Sequence, residues 1–219
     1  MIPLLLLLFM FTVSCAGEGI PTATVPTTGP PATSPPVSTP PGSVQPQAVF
    51  DFDTGSPVLT PGANTPLEQT SGGVTARFSS SSDPAAFSAQ TGAATFLRLS
   101  RFSGNFLYDN SAARKLLYIN FDPPVSGISL AFATTDSHGP GNVEEPSYVK
   151  LTAFNDLQET RQIGSVTARG AFGSDSFPQG TLSFDSGGQP FNMVIMEIIP
   201  QPRGGPSLFI DNIIVKTYP

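Results

Sequence analysis

Hydrophobic and polar residues alternate with a period of two along most of the chain after residue 47. The alternation is clearest in segments 74–78, 117–121, 128–132 and 149–153, and it returns at Leu182 and Phe184. Successive side chains of a strand point to opposite faces, so this pattern predicts strands with one face in a core and the other toward water.

Glycine and proline pairs separate the alternating segments. Gly72-Gly73, Pro123-Pro124 and Gly187-Gly188 are examples, and each predicts a turn between two strands. We count about nine or ten strands at the spacing typical of sandwiches, and we predict an all-β, antiparallel, jelly-roll-like β-sandwich. Segments 193–199 and 208–215 are apolar on both faces, which predicts central strands. Segment 83–90 is the exception, because a proline near its start favours a helical turn.

The first 15 residues have the pattern of an export signal. The apolar run 4–11 is too short to span a bilayer, which needs roughly 20 residues. It ends at Thr-Val-Ser-Cys, residues 12–15, which resembles the lipobox of bacterial lipoproteins and implies that Cys15 is lipidated. Cys15 is the only cysteine, so no disulfide is predicted. The alternative is an ordinary signal peptide cut after Ala16. We therefore expect an exported protein of the cell envelope or surface, lipid-anchored or, if Cys15 is unmodified, secreted.

Residues 16–47 are predicted to be a disordered linker rich in Pro, Thr and Ser. From residue 22 onward the linker has no charged and no aromatic side chain, so it cannot bury enough apolar surface to offset the entropy lost on ordering. Repeated Pro-Pro pairs favour extended polyproline II at about 3.1 Å per residue, which gives a stalk on the order of 80 Å. Residues 48–219 then form one folded domain at its end.

The charge of the folded domain excludes one class of partner. It contains all ten Lys and Arg residues but fifteen of the sixteen acidic residues, which gives a net charge of minus 5. Nucleic acids and anionic membrane surfaces require clustered basic residues, so we expect neither as a direct partner. Any membrane contact is expected through the lipid anchor alone, and the domain is expected to be monomeric.

Acidic residues interrupt the first and last predicted strands. In Phe-Asp-Phe-Asp, residues 50–53, strand alternation places both carboxylates on one face, about 6 to 7 Å apart. Asp211 is flanked by Phe209, Ile210 and Ile213, so we expect it to be buried and to need a partner.

An acidic first strand combined with a Phe-Ile-Asp-Asn-Ile-Ile-Val strand at the end resembles the jelly rolls of galactose-binding-like domains and carbohydrate-binding modules. The resemblance implies that the two strands are neighbours and that a structural calcium is held by Asp51, Asp53 and Asp211, with Asn212 as a carbonyl donor. In the alternative, Asp51 and Asp53 are solvated, and Asp211 pairs with an arginine such as Arg77 or Arg98 or caps a turn.

Catalytic patterns are weak in this sequence. His138 is the only histidine, and there is no G-x-S-x-G nucleophile turn, so we interpret it as a loop residue. Glu144 and Glu145 are adjacent in sequence, and in an extended loop they would diverge rather than form the facing pair that a glycosidase needs.

Aromatic side chains suggest ligand binding without catalysis. Tyr108 and Tyr148 are the candidate contacts, and Phe102 is a third, although the absence of Trp argues against a strong lectin. We predict a non-catalytic surface domain for adhesion or binding, with a surface glycan or protein as partner and calcium as cofactor. The alternatives are a secreted carbohydrate-binding module and a hydrolase without a recognisable signature.

Overall fold

A computed structural model describes residues 46–81, 83, 85–92, 97–109, 116–137, 145–199 and 206–219. The chain divides into Met1–Gly42 and Ser43–Pro219, and all described residues belong to the second unit. The predicted export signal, Cys15, the linker up to residue 45, His138 and Glu144 lie outside the described residues.

The described part of the chain is all-β, as predicted, with one or two strands more than expected. Eleven strands are present, and all pairings are antiparallel: β1 (Gln47–Phe50), β2 (Leu67–Ser71), β3 (Val74–Ser80), β4 (Phe87–Thr91), β5 (Asn105–Asp109), β6 (Leu117–Thr134), β7 (Tyr148–Phe154), β8 (Gln162–Arg169), β9 (Gln179–Asp185), β10 (Phe191–Ile199) and β11 (Leu208–Thr217).

Strand β6 belongs to both layers of the sandwich. Its first part, 117–122, pairs with β3 and β10, and the first layer continues to β2 on one side and to β7 and β8 on the other. Its second part, from residue 125 to 134, pairs with β9 and β11, and this second layer continues from β11 to β5 and β4, with β1 beside the end of β11. One long strand thus joins the two layers.

The main hydrophobic core contains inward-facing side chains from both layers. Phe50, Phe78, Phe132 and Ile210 are each 0% exposed and belong to it. In the second layer, the alternate residues Ala131, Ala133 and Phe209 form a separate cluster on the opposite, outer face. The predicted central placement of the last two strands is confirmed, because β10 and β11 each lie between two other strands.

Two local predictions were wrong. Residues 87–91 are strand β4 rather than part of a helical turn, because five registered pairs with β5 and burial of Phe87 and Ala89 outweigh the weak helical signal. Pro123-Pro124 does not end a strand, since β6 continues through it. The pairing of β10 with β6 shifts register there, between Phe191 and Met193, and prolines are tolerated at such irregular positions.

Candidate functional site

A cleft of about 350 Å³ lies on the outer face of the second layer. Its lining comes from β4, β5, the residue that follows β6, the start of β11 and two loops. The residues are Gln90, Thr91, Leu97, Phe106, Tyr108, Thr135, Phe177 and Phe209. This volume falls in the usual range for small-molecule sites, about 300 to 1,000 Å³.

A row of aromatic rings forms the apolar side of the cleft. The Phe209 ring lies between Tyr108 and Phe177, with centroids 4.7 Å and 5.5 Å away and interplanar angles of 35° and 29°. Phe106 contacts the same ring at 5.8 Å. Tyr108 and Phe177 are only partly buried, so the ends of the row remain accessible while Phe209 is enclosed at 2% exposure.

The polar side of the cleft offers hydrogen-bonding groups without charge. Thr135 Oγ1 accepts from the Ser207 N–H at 2.7 Å, which leaves its hydroxyl proton to be donated. Gln90 Nε2 donates to Ser88 Oγ at 2.8 Å, and its amide oxygen remains an acceptor. No Asp, Glu, His, Cys, Lys or Arg is among the described residues of the lining. The cleft can therefore hold a ligand that combines an apolar face with hydroxyl or amide groups.

The predicted ligand residues have different positions in the structure. Tyr108 lines the cleft, and Phe102 lies below it, 6% exposed, with its ring 6.0 Å from that of Phe106. Tyr148 lies on β7 outside the lining, where the guanidinium of Arg169 covers its ring at 4.0 Å from the centroid. Sequence reasoning missed Phe177 and treated Phe209 as a core residue.

Two loops cover the outer face beside the cleft. The strap (residues 97–104) leads into β5, and its Leu99 and Phe102 pack on the outer cluster. The second loop (residues 170–178) leads into β9 and carries Phe177. The strap carries Leu97 at its start, so each loop contributes one side chain to the lining.

The three predicted acids meet beside the strap, although not as a strand face. Strand β1 ends at Phe50, and Phe52 has φ 61°, so Asp51 and Asp53 belong to a turn; the prediction that they share one face of a strand was wrong. Asp51 Oδ1 accepts from the N–H groups of Asp53 and Thr54, at 3.1 and 2.7 Å. These are the hydrogen bonds of an Asx turn. Pairing of β1 with β11 brings the turn to Asp211.

Asp211 caps the strap from a bulge in β11. Its Oδ2 accepts from the Ser103 N–H at 2.9 Å and its Oδ1 from the Asn212 N–H at 2.7 Å. Of the alternatives considered for Asp211, an arginine partner or the capping of a turn, the structure therefore shows the second. Arg77 pairs with Glu68 instead, and no described ion pair involves Asp211. Asn212 has φ 51° and donates from Nδ2 to the Arg101 carbonyl at 3.0 Å.

Burial and neighbouring charge act together on Asp211. The residue is 0% exposed, as predicted. Burial, the largest cause, and the charges of Asp53 and Asp51 together raise its pKa to about 7, although the hydrogen bonds from the Ser103 and Asn212 N–H groups lower it. At Asp51 burial also raises the pKa, but the hydrogen bonds from Thr54 and Asp53 outweigh it, so the pKa of Asp51 is lowered.

The oxygen chemistry of this acidic cluster (Asp51, Asp53 and Asp211) suits calcium better than its geometry does. Carboxylates are hard ligands of the kind calcium prefers. However, N–H groups already occupy both oxygens of Asp211 and Oδ1 of Asp53, the latter from Asn105 at 2.9 Å. Among the described residues, no group of three or more His, Cys, Asp or Glu side chains is arranged to hold a metal. Calcium remains a prediction.

Glu145, one of the two carboxylates considered for glycoside hydrolysis, lies in an ion pair outside the cleft. Glu145 forms an ion pair with Arg169, the residue that covers Tyr148, and it is not part of the cleft lining. In the described ranges, no helix is long and apolar enough to cross a membrane.

No family model and no curated protein matches this chain. The similar solved structures include a cleaved adhesin domain of Lys-gingipain from Porphyromonas gingivalis, 11% identical, with a TM-score of 0.44 over 78% of this chain and 98% of that one. TmCBM61 in complex with beta-1,4-galactotriose is 11% identical, with a TM-score of 0.37 over 64% and 88%. A CBM29-2 mutant complexed with cellulohexaose is 12% identical, with a TM-score of 0.35 over 79% and 92%. At these identities and scores, the likeness does not establish what this chain binds.

Proposed function

We propose that the folded domain is a non-catalytic binding module that holds a carbohydrate in the aromatic cleft. The observation that carries the proposal is the cleft itself, where the Tyr108, Phe209 and Phe177 rings lie beside uncharged hydrogen-bonding groups. A sugar has the matching character, with an apolar ring face and a rim of hydroxyl groups. The described lining offers no carboxylate pair for glycoside hydrolysis, which favours binding over cleavage.

The position of the cleft suits a domain presented on a stalk. Gln47, where the chain enters β1, pairs with Lys216 near the end of β11, whereas Tyr108 pairs with Phe209 near its start. These points are seven residues apart, or about 20 Å along a strand. The cleft therefore lies toward the other end of β11 from Gln47. We propose that the protein is exported and held at the cell surface through Cys15, with the cleft facing outward.

Oligosaccharide titration tests the carbohydrate proposal. The probes are beta-1,4-galactotriose, cellohexaose and mannohexaose, the sugars in the similar solved structures, followed by a glycan array. For a sugar that binds, Tyr108→Ala should weaken affinity at least about ten-fold, because truncating an aromatic anchor removes stacking and desolvation together.

Tyr148→Ala is the matched control, since it removes another partly exposed tyrosine outside the cleft and should leave affinity unchanged. Equal losses in both variants would contradict the assignment of the cleft. If no glycan on the array binds, the ligand is not a carbohydrate, and a protein partner becomes the next candidate for the same surface.

We keep calcium at the acidic cluster as a second, structural part of the proposal. What supports it is the proximity of three carboxylates: burial and then the charges of Asp53 and Asp51 raise the pKa of Asp211, and no described ion pair neutralises it. A divalent cation would favour the ionised carboxylate and stabilise the folded state by mass action.

A further inference from the structure

A hydrogen-bonded clamp joins the strap to the second loop, and each of these loops contributes one side chain to the cleft lining. Ser100 of the strap donates from its N–H to Asp175 Oδ1 at 3.3 Å and from its hydroxyl to Asp175 Oδ2 at 2.9 Å. Next to it, the Ser176 N–H donates to the Arg98 carbonyl at 3.1 Å. Three hydrogen bonds thus connect segments that are 75 residues apart in sequence.

Each partner in the clamp is close in sequence to a cleft residue. Leu97 is three positions before Ser100, and Phe177 is two positions after Asp175. Both side chains are partly buried against the outer cluster, one from each loop. Separating the loops at the clamp would therefore remove a direct link between the segment that carries Leu97 and the segment that carries Phe177, whose ring stacks on Phe209.

Other hydrogen bonds attach the strap to β11 and to the start of β9. The strap is fixed to β11 by Asp211 and Asn212, and its Arg101 N–H donates to Gln179 Oε1 at 3.1 Å, at the start of β9. These bonds attach the strap to the sheet. Between the described residues, the direct hydrogen bonds from the strap to the second loop are those of the clamp.

We propose that Asp175 is a positioning residue that sets the width of the cleft and thereby its affinity for ligand. A carboxylate that accepts both the N–H and the hydroxyl of one serine holds that serine in a single orientation. Charged hydrogen bonds of this kind contribute more than neutral ones, even where water competes. Asp175 touches no ligand in this arrangement and acts through Phe177. The affinity part rests on the proposed binding function, whereas the loop geometry can be measured without any ligand.

Amide hydrogen exchange and methyl NMR of the full chain test the clamp. In Asp175→Ala, the Ser176 amide should exchange about ten-fold faster, since two hydrogen bonds to a carboxylate are lost. The Leu97 methyl resonances, next to the aromatic row, should shift, while exchange at Val194 of β10 stays unchanged. Asp175→Asn retains an acceptor oxygen and should restore part of the protection, which a general loss of fold would not allow.

Asp156→Ala is the control for removing a loop carboxylate. Asp156 likewise accepts from an N–H and a hydroxyl, those of Thr160, but in a loop outside the cleft. Unchanged exchange at Ser176 in Asp175→Ala would overturn the clamp.

The same variants are titrated with beta-1,4-galactotriose, cellohexaose and mannohexaose. For a sugar that binds the parent, Asp175→Ala should reduce affinity about ten-fold and Asp156→Ala should not. Faster exchange with unchanged affinity would overturn the positioning role while leaving the carbohydrate proposal intact. If none of these three sugars binds the parent, the glycan array decides the carbohydrate proposal, and the exchange rates and methyl shifts alone decide whether Asp175 sets the width of the cleft.

Discussion

The strongest prediction is that metal-free protein loses stability as the pH rises through neutrality. Asp211 is 0% exposed, and its pKa is raised from 3.8 to about 7 in the folded state. A group with a raised folded-state pKa stabilises the fold fully below its unfolded pKa and loses that contribution as pH rises through the folded value. Over the whole pH range, the difference between the folded-state and unfolded-state pKa of Asp211 corresponds to about 4 kcal/mol of unfolding free energy. About 3 kcal/mol of this is lost between pH 5 and pH 8.

Other carboxylates act outside this window and with the opposite sign. The pKa values of Asp51, Asp156 and Asp185 are lowered, so their contributions are present above their unfolded pKa and are lost only as the solution becomes more acidic. The chain contains one histidine, His138, and histidine is the residue type that ordinarily changes charge in this pH range. A His138→Gln background removes its contribution.

Urea denaturation of the full chain at several pH values, with a chelator present, measures this dependence. Asp211→Asn should have a nearly constant free energy of unfolding from pH 5 to pH 8, whereas the parent should lose about 3 kcal/mol. Millimolar calcium should flatten the curve of the parent if the cation binds at the acidic cluster, because it favours the ionised carboxylate. Equal pH dependence in parent and variant without metal would refute the argument that Asp211 is buried near two other charges.

Three further predictions concern the same region and the N-terminus. Gly104→Ala should cost about 2 kcal/mol or more, because φ is 55° and a Cβ would overlap the Asp53 carboxylate. Gly187→Ala, with φ 66° and open space, should cost about half as much in urea denaturation. Millimolar calcium should raise the melting temperature of the chelator-treated parent protein by several degrees but not that of Asp53→Asn. No rise in the parent would contradict the proposed calcium site. Cys15→Ser should move the protein from the membrane fraction to the soluble one, and unchanged fractionation would contradict lipidation.

The fold was predictable because its signal is local. Alternation places Phe78, Phe132 and other side chains in the core wherever a strand has one buried face, and the structure confirms this. Burial of Asp211 also followed from its apolar neighbours. Strand β4 and the continuous β6 were not predictable in this way, because their pairing with other strands, β5 and β9, decides both.

The cleft depends on contacts between segments far apart in sequence, and this is why only part of it was predicted. Tyr108 could be identified as a candidate because an aromatic side chain is the type expected to contact a sugar. Phe177 lies in a loop, and its stacking on Phe209 joins positions on the second loop and β11. The clamp of Ser100 and Asp175 has no sequence signature, since neither residue type at these positions indicates its partner.

The bulge in β11 links the acidic cluster to the cleft. Ile210 and Ile213 both belong to the main core although they are three positions apart, which regular alternation does not allow. An extra residue, with Asn212 in the left-handed region, restores the alternation, and asparagine tolerates that conformation better than most residues. Before the bulge, Phe209 faces outward into the cleft, and Asp211 holds the strap. A single irregularity thus allows one strand to fill the core, support the aromatic row and fix the loop beside it.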